Sequence, residues 1–324
     1  MLMYSLLPRM PPPEPNNSTI PRTTRLWRWI WRVVRSILIV YTVIVAMLAG
    51  FQRSLIYGPK RVSAQEMRLA GVDFEAESVE IRSHDNITLH GWKLRGWSHQ
   101  AVNGNIPDSR SRPVILYFCG NAMHRAYRRQ EFELLARLGV DVYCFDYRGY
   151  GENSGSPTET DLAKDAHAAW NYLTADQGIA ASRIVLFGES LGGGVATRLA
   201  AELCEGGEIP GGLILRSTFT SLTDVAQRLF WWLPVRYVLL DRFPSSERID
   251  NVSCPILVLH GDQDSLIPIE IGQQLFSAAP RESRSGVAKR FVPLPGADHN
   301  DYLEISQALV STAISEFLGE LAKE

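Results

Sequence analysis

The chemistry in this 324-residue chain starts from three side chains far apart in sequence: Ser190, Asp264 and His299. Ser190 stands in Gly188-Glu189-Ser190-Leu191-Gly192, after the apolar run IVLF and before a helical pattern. G-x-S-x-G between a strand and a helix is a sharp turn that lifts a serine above the edge of a sheet. Gly188 and Gly192 fall where a side chain would meet neighbouring elements. Gly193 and Gly194 are expected to let the helix pack closely. The helix start brings its positive end and free N–H groups to the point where an oxyanion would form. The backbone N–H of Leu191 is the first such donor.

A serine hydroxyl is a weak nucleophile, so it needs a base, and the base needs an acid to orient it. The order serine, acid, histidine fits Asp264, which follows PILVLHG, and His299, which follows KRFVPLP. His299 would take the Ser190 proton, and Asp264 would hold the imidazole and stabilise its charged form. Asp262 competes with Asp264 and reads as a cap of the turn or of the next helix. Asp298 and Asp301 read as cap and surface residues. His84, His90, His99, His124, His167 and His260 read as structural or exposed. No cofactor and no metal is expected. His and Cys do not cluster at metal spacing, and GESLGGG lacks the Lys-Ser/Thr ending of a phosphate loop. A second oxyanion donor is expected from CGNAMHR: the backbone N–H of Asn121, with Ala122 next.

These residues need a scaffold. ESVEIRS and ITLHGWKLRG alternate around HDN and predict an antiparallel hairpin. A polar loop, HQAVNGNIPDSRSRP, comes next. Then apolar runs alternate with helical patterns: VILYF, VDVYCFDY, RIVLFG, GLILRST, PILVLHG and KRFVPLP. Continuous apolar strands separated by helices predict an α/β fold, a mostly parallel sheet covered on both faces. Ligands in such sheets bind beyond the carboxyl ends of the strands, where Ser190, Asp264 and His299 all fall. The four cysteines read as buried free thiols rather than a disulfide framework.

Charge is distributed unevenly. Residues 1–61 hold nine Lys/Arg and one acidic residue, whereas residues 62–324 hold 24 and 34. An acidic body argues against nucleic acid as a partner. The basic charge surrounds WRWIWRVVRSILIVYTVIVAMLAGFQR, whose fifteen residues Ile37–Phe51 carry no charge. A full span takes about 20 apolar residues, and Arg32 and Arg35 can snorkel while Trp27, Trp29 and Trp31 sit at headgroup level. The segment reads as a membrane anchor. A cleaved signal peptide has the same polarity, but no good small-x-small site follows. A buried amphipathic helix fits poorly, because the run is apolar all round. The excess of arginine before the run predicts a cytoplasmic N-terminus with the body on the other side. The organisation expected is a disordered tail over 1–25, an anchor over 26–53, and a catalytic domain over 54–324 with a small cap at about 221–246.

FQRSLIYGPKR, CGNAMHR, DYRGYGENSGSPTE, GESLGGG, HGDQDSLIP and GADHND occur in that order over almost all of residues 52–300. In them the chain resembles the serine hydrolases of the α/β-hydrolase fold. More narrowly it resembles the membrane-anchored branch with depalmitoylase-like, lysophospholipase-like and serine aminopeptidase-like members. The resemblance carries the nucleophile onto Ser190, the acid onto Asp264 and the base onto His299. The oxyanion loop of that family usually begins His-Gly-Asn, and here Cys119 replaces the histidine. Asp146 and Arg148 match a motif with a mainly structural role. The resemblance implies cleavage of carboxylic ester or thioester bonds in acyl or lipid-like substrates. An aminopeptidase-like enzyme of the same fold and a catalytically silent membrane-tethered scaffold are the alternatives. In the cap, Phe230, Trp231, Trp232 and Leu233 either wall an acyl pocket, touch the bilayer, or only pack the domain.

Overall fold

The computed structural model describes residues 22–72, 74–97 and 112–322. The chain divides into two units, Met1–Leu48 and Ala49–Glu324. Helix α1 spans Arg22–Ile56, and from Arg25 to Ile56 it is long and apolar enough to cross a membrane. Two of its hydroxyls are satisfied within the helix: Ser36 and Thr42 donate to the carbonyls of Arg32 and Leu38, at 2.9 and 2.8 Å. In hydrocarbon no water would serve those hydroxyls, so this back-bonding keeps the segment compatible with a bilayer. The tail expected over residues 1–25 lies outside the described residues up to residue 21.

The second unit begins with the last turns of α1. Helix α2 (Ala64–Val72) follows, opened by a reciprocal cap in which Ser63 N–H donates to Glu66 Oε2 (2.7 Å) and Glu66 N–H to Ser63 Oγ (3.2 Å). The predicted hairpin is β1 (Glu77–Arg82) and β2 (Thr88–Leu94), paired antiparallel. The alternating elements are β3 (Val114–Phe118), α3 (Arg129–Arg137), β4 (Asp141–Phe145), α4 (Glu159–Asn171), β5 (Ile184–Glu189), α5 (Leu191–Glu205) and β6 (Gly212–Arg216). Between β6 and the next strand lie α6 (Leu222–Leu229) and the single turns α7 (Val235–Val238) and α8 (Ser245–Arg248), over the stretch expected to form a cap. Then come β7 (Ile256–Gly261), α9 (Ile269–Ala278), β8 (Arg290–Leu294) and α10 (Tyr302–Leu321). Residues 98–111, most of the polar loop before β3, lie outside the described residues.

The eight strands form one sheet in the order β1-β2-β4-β3-β5-β6-β7-β8, parallel from β4 to β8. Strands β3, β5, β6 and β7 are buried at every position, as their unbroken apolar sequence requires. Alternate side chains feed two cores. Leu116, Leu186 and Val258 meet Leu162, Val195 and Leu199 on one face; Ile115, Phe187 and Leu257 meet Phe132, Ile314 and Phe317 on the other. The strand order reverses between β3 and β5, and such a switch point opens a crevice at the carboxyl end of the sheet. The four cysteines are free thiols; Cys119 and Cys144 share a thiol–thiol hydrogen bond at 3.4 Å, not a disulfide.

Candidate active site

Ser190 stands between β5 and α5 with φ of 51° and ψ of −115°, a left-handed backbone that a side chain adopts only under constraint. The constraint is visible. Ser190 N–H donates to Arg216 O (2.9 Å), while its own carbonyl takes the Thr218 hydroxyl (2.7 Å) and Gly193 N–H (2.9 Å). The glycines serve close approach: a Cβ on Gly188 would collide with the backbone of Gly192 and Gly193, and one on Gly192 with the carbonyls of Phe118 and Cys119. That second approach sets the loop after β3 against the first turn of α5. Leu191 opens α5, so its N–H has no carbonyl within the helix to meet.

The loops after β7 and β8 bring Asp264 and His299 to this turn. His299 Nε2 lies 3.2 Å from Ser190 Oγ, and His299 Nδ1 lies 2.8 Å from Asp264 Oδ2. All three residues are buried. Asp264 Oδ1 accepts the N–H groups of Leu266 (3.0 Å) and Ile267 (2.8 Å), which fixes the plane of its carboxylate. Burial alone would raise the Asp264 carboxyl. Its bonds to His260 and His299 outweigh that and hold it well below the usual carboxylate range. His260, expected to be structural, is fully buried beside this carboxylate; its Nε2 donates to Ile267 O (2.7 Å) and sits 3.5 Å from Asp264 Oδ2. Asp262 instead accepts Gly296 N–H (2.7 Å), and Asp298 accepts the N–H groups of Ser265 and His299 (both 2.7 Å), so both lock the two loops together. Asp146 and Arg148 are tied into structural pairs, Asp146 with Arg125 and Arg148 with Asp165 (2.5 Å) and Asp85 (2.8 Å).

The loop after β3 is held from an unexpected direction. Asn121 Nδ2 donates to Ile56 O (2.9 Å), and Asn121 O accepts Gly58 N–H (3.0 Å) and the Tyr150 hydroxyl (2.8 Å). The residues that end α1 therefore brace this loop. Between α6 and α7, Phe230, Trp231 and Trp232 are exposed and Leu233 is half-buried.

Beneath the serine lies a buried charge cluster that motif spacing does not reveal. Glu189 and Arg216 end neighbouring strands and are register partners, with Arg216 Nη2 2.8 Å from Glu189 Oε1. Arg128 Nη2 (2.8 Å) and the Tyr117 hydroxyl (3.1 Å) also donate to Glu189. Arg216 Nη1 donates to His299 O (3.0 Å), and its Nη2 lies 3.4 Å from Glu131, whose Oε1 accepts the Tyr302 hydroxyl (2.6 Å). Burial penalises both carboxylates. For Glu189 the two guanidinium groups and the Tyr117 bond win, and its carboxyl is held down to about 2. For Glu131, burial and then the Glu189 charge push its carboxyl up to about 7. One signal in sequence could have located the cluster: opposite charges closing two otherwise apolar strands must be paired when buried.

A serine on a strained strand–helix turn, a histidine and a carboxylate on later loops, and this strand order define the α/β-hydrolase fold, and the chain belongs to that family. The family model described as "alpha/beta hydrolase fold" matches residues 113–236. Among known proteins, the chain is 37% identical over 293 residues to an uncharacterised protein of Mycobacterium tuberculosis, covering 90% of this chain and 95% of that one. It is 37% identical over 199 residues to the lysophosphatidylserine lipase of Danio rerio, covering 56% and 52% of the two chains. To the lysophosphatidylserine lipase of Rattus norvegicus it is 28% identical over 346 residues, covering 94% and 83%. Among solved structures, an esterase of Pyrococcus furiosus superposes with a TM-score of 0.62 at 21% identity, covering 82% of this chain and 99% of that one.

Proposed function

We propose that the chain is a membrane-anchored serine hydrolase that cleaves carboxylic ester or thioester bonds in acyl or lipid-like substrates. The observation that carries this is the unbroken contact from Ser190 Oγ through the His299 ring to Asp264. His299 Nε2 takes the hydroxyl proton as Ser190 Oγ attacks the acyl carbon, and returns it to the leaving alcohol or thiol. The ester or thioester bond breaks and an acyl-serine forms. Water, deprotonated by His299, then attacks that acyl carbon and releases the acid with free Ser190. The backbone N–H groups of Leu191 and Asn121 receive the oxyanion in both steps. Asn121 suits this role because its side chain and carbonyl are already engaged in holding its loop. Phe230, Trp232 and Leu233 are the candidate acyl-pocket walls; Trp231, 79% exposed, is the least enclosed of the four candidates.

The named lipase relatives support a lipid ester as substrate, and α1 supports attachment to a membrane. The catalytic body is taken as residues 54–324 with the cap at about 221–246, opposite a cytoplasmic N-terminus. An aminopeptidase-like activity would need a spare carboxylate for an α-amino group. The two candidates in the cap are engaged: Asp224 accepts the Thr220 hydroxyl (2.8 Å), and Asp241 pairs with Arg53 (3.0 Å). The test is a fluorophosphonate probe with wild type and Ser190→Ala, beside acyl esters, thioesters and lysophospholipids of graded chain length. Labelling that persists in Ser190→Ala, or turnover of aminoacyl amides but of no acyl ester, would overturn the proposal.

A further inference from the structure

Exposed large apolar side chains concentrate on one part of the second unit. Six lie within residues 229–240, among them Tyr237 (88% exposed), Trp231 (79%) and Leu240 (64%). A soluble surface rarely gathers so many, and such patches mark interaction sites. The composition also points to a particular partner. From residue 225 to residue 240 the chain carries Arg228 and Arg236, both exposed, and no acidic residue. Aromatic side chains beside arginine suit the headgroup layer of a bilayer with anionic lipids.

Covalent continuity supplies the second argument. Phe51 ends the uncharged run of α1, and Gln52 follows it directly. The buried Gln52 side chain donates to Val238 O (3.2 Å) and accepts Leu240 N–H (2.7 Å). One residue on, Arg53 Nε pairs with Asp241 Oδ2 (3.0 Å). The stretch 238–241 is thus bonded, through the backbone of Val238 and Leu240 and the side chain of Asp241, to the turn of α1 that follows the apolar run. Phe51 and Leu55 on the same turns are 64% and 65% exposed. Leu240 and its neighbours are therefore held beside Gln52 and Arg53, the two residues that follow the uncharged run.

We infer that the cap is a second bilayer contact. Trp231, Tyr237 and Leu240 insert among the headgroups of the membrane that holds α1, and Arg228 and Arg236 draw that contact towards anionic lipid. This rests on the proposed anchoring of α1 and extends it from a tether to a docked catalytic body. A substrate in that leaflet would then meet the site without crossing bulk water.

The full-length chain in lipid nanodiscs, with and without phosphatidylglycerol, provides the test. A benzoylphenylalanine in place of Tyr237 should form lipid adducts on illumination, more of them with the anionic lipid. The same group in place of Glu320, whose turn of α10 packs near the start of β6, at the amino end of the parallel strands, should form none. No lipid adduct at position 237, or an adduct to a second copy of the chain instead, would overturn the inference. In a second arm, Tyr237→Ser with Leu240→Ser should weaken turnover of a disc-embedded lysolipid about tenfold, as a rise in KM. Turnover of a water-soluble short ester should be unchanged. Equal loss on both substrates, or loss on neither, would count against the contact. Adduct formation requires no turnover, so a failed hydrolase assignment and a failed bilayer contact give different results.

Discussion

The charge cluster beside Ser190, here the floor, and the segment between β6 and β7, here the roof, are built in opposite ways. The floor is the charged cluster of Glu189, Arg216 and Glu131, all buried, with half-buried Arg128; it is joined to Ser190, His299 and the loop after β3. The roof is residues 222–248: it exposes six large apolar side chains within residues 229–240, buries Val225, Val235 and Leu239, and is held by Gln52 through its backbone and by Arg53 through the Asp241 side chain. A buried charge network has few alternative arrangements, because any unpaired member is costly. A surface segment held by a few polar contacts can open at modest cost. The proposed catalysis calls for the first kind of construction, and the admission of a long acyl chain calls for the second.

The comparison breaks most visibly at the serine. Ser190→Ala should lower turnover by roughly four to six orders of magnitude and abolish fluorophosphonate labelling, with the fold intact by circular dichroism. Next comes the floor. Arg216→Gln leaves two buried carboxylates short of a cation and releases the His299 carbonyl, so unfolding free energy should fall by about 3–5 kcal/mol in urea titrations. Arg216→Lys should recover part of that stability but less of kcat, since a lysine cannot reach Glu189 and His299 O at once. If Arg216→Gln unfolds as wild type does, the floor is not the rigid half.

The strand and helix order and the candidate site were legible in the sequence; the charge cluster and the outward apolar side chains were not. Ser190, Asp264 and His299 follow strands whose apolar runs are strong local signals, and the G-x-S-x-G turn carries its own steric reason at Gly188 and Gly192. The hairpin, the alternating elements and the free cysteines follow the same local logic. What escaped is long-range. Gln52 meets Leu240 across 188 residues, and Asn121 meets Ile56 across 65, with no period to announce either contact. Helix α2 is short and only weakly apolar, so its pattern did not stand out. The cap was legible as apolar, but composition alone could not say that Trp231 and Tyr237 point outward.

The roof gives the third prediction. Gln52→Ala leaves Leu240 N–H and Val238 O without the bonds that Gln52 supplies. That should cost about 1–3 kcal/mol of local stability. It should appear as faster proteolysis and hydrogen exchange within residues 229–241 rather than as a large drop in global unfolding free energy. KM for long acyl esters should rise more than kcat falls. Global destabilisation equal to that of Arg216→Gln would erase the distinction between floor and roof.

The smallest expected effect is also the sharpest in sign. Glu131 titrates near 7 in the folded chain because of burial and the neighbouring Glu189 charge, against about 4.5 for an ordinary glutamate. Between those values the folded state holds a proton that the unfolded state has lost. Stability from this group is therefore complete below about pH 4.5 and declines as pH rises towards 7. Glu189 is displaced the other way, to about 2, so its contribution is present above about pH 4.5 and is lost only in stronger acid. The two windows do not overlap, and Glu131→Gln isolates the first. The substituted amide keeps an oxygen to accept the Tyr302 hydroxyl, which Glu131 now takes at 2.6 Å, but it has no proton to release. Melting temperatures measured from pH 5 to pH 8 should decline less steeply in Glu131→Gln than in wild type. Parallel curves would mean that Arg216 already neutralises Glu131 across this range, and that the floor is wholly ionic rather than poised to take up one proton.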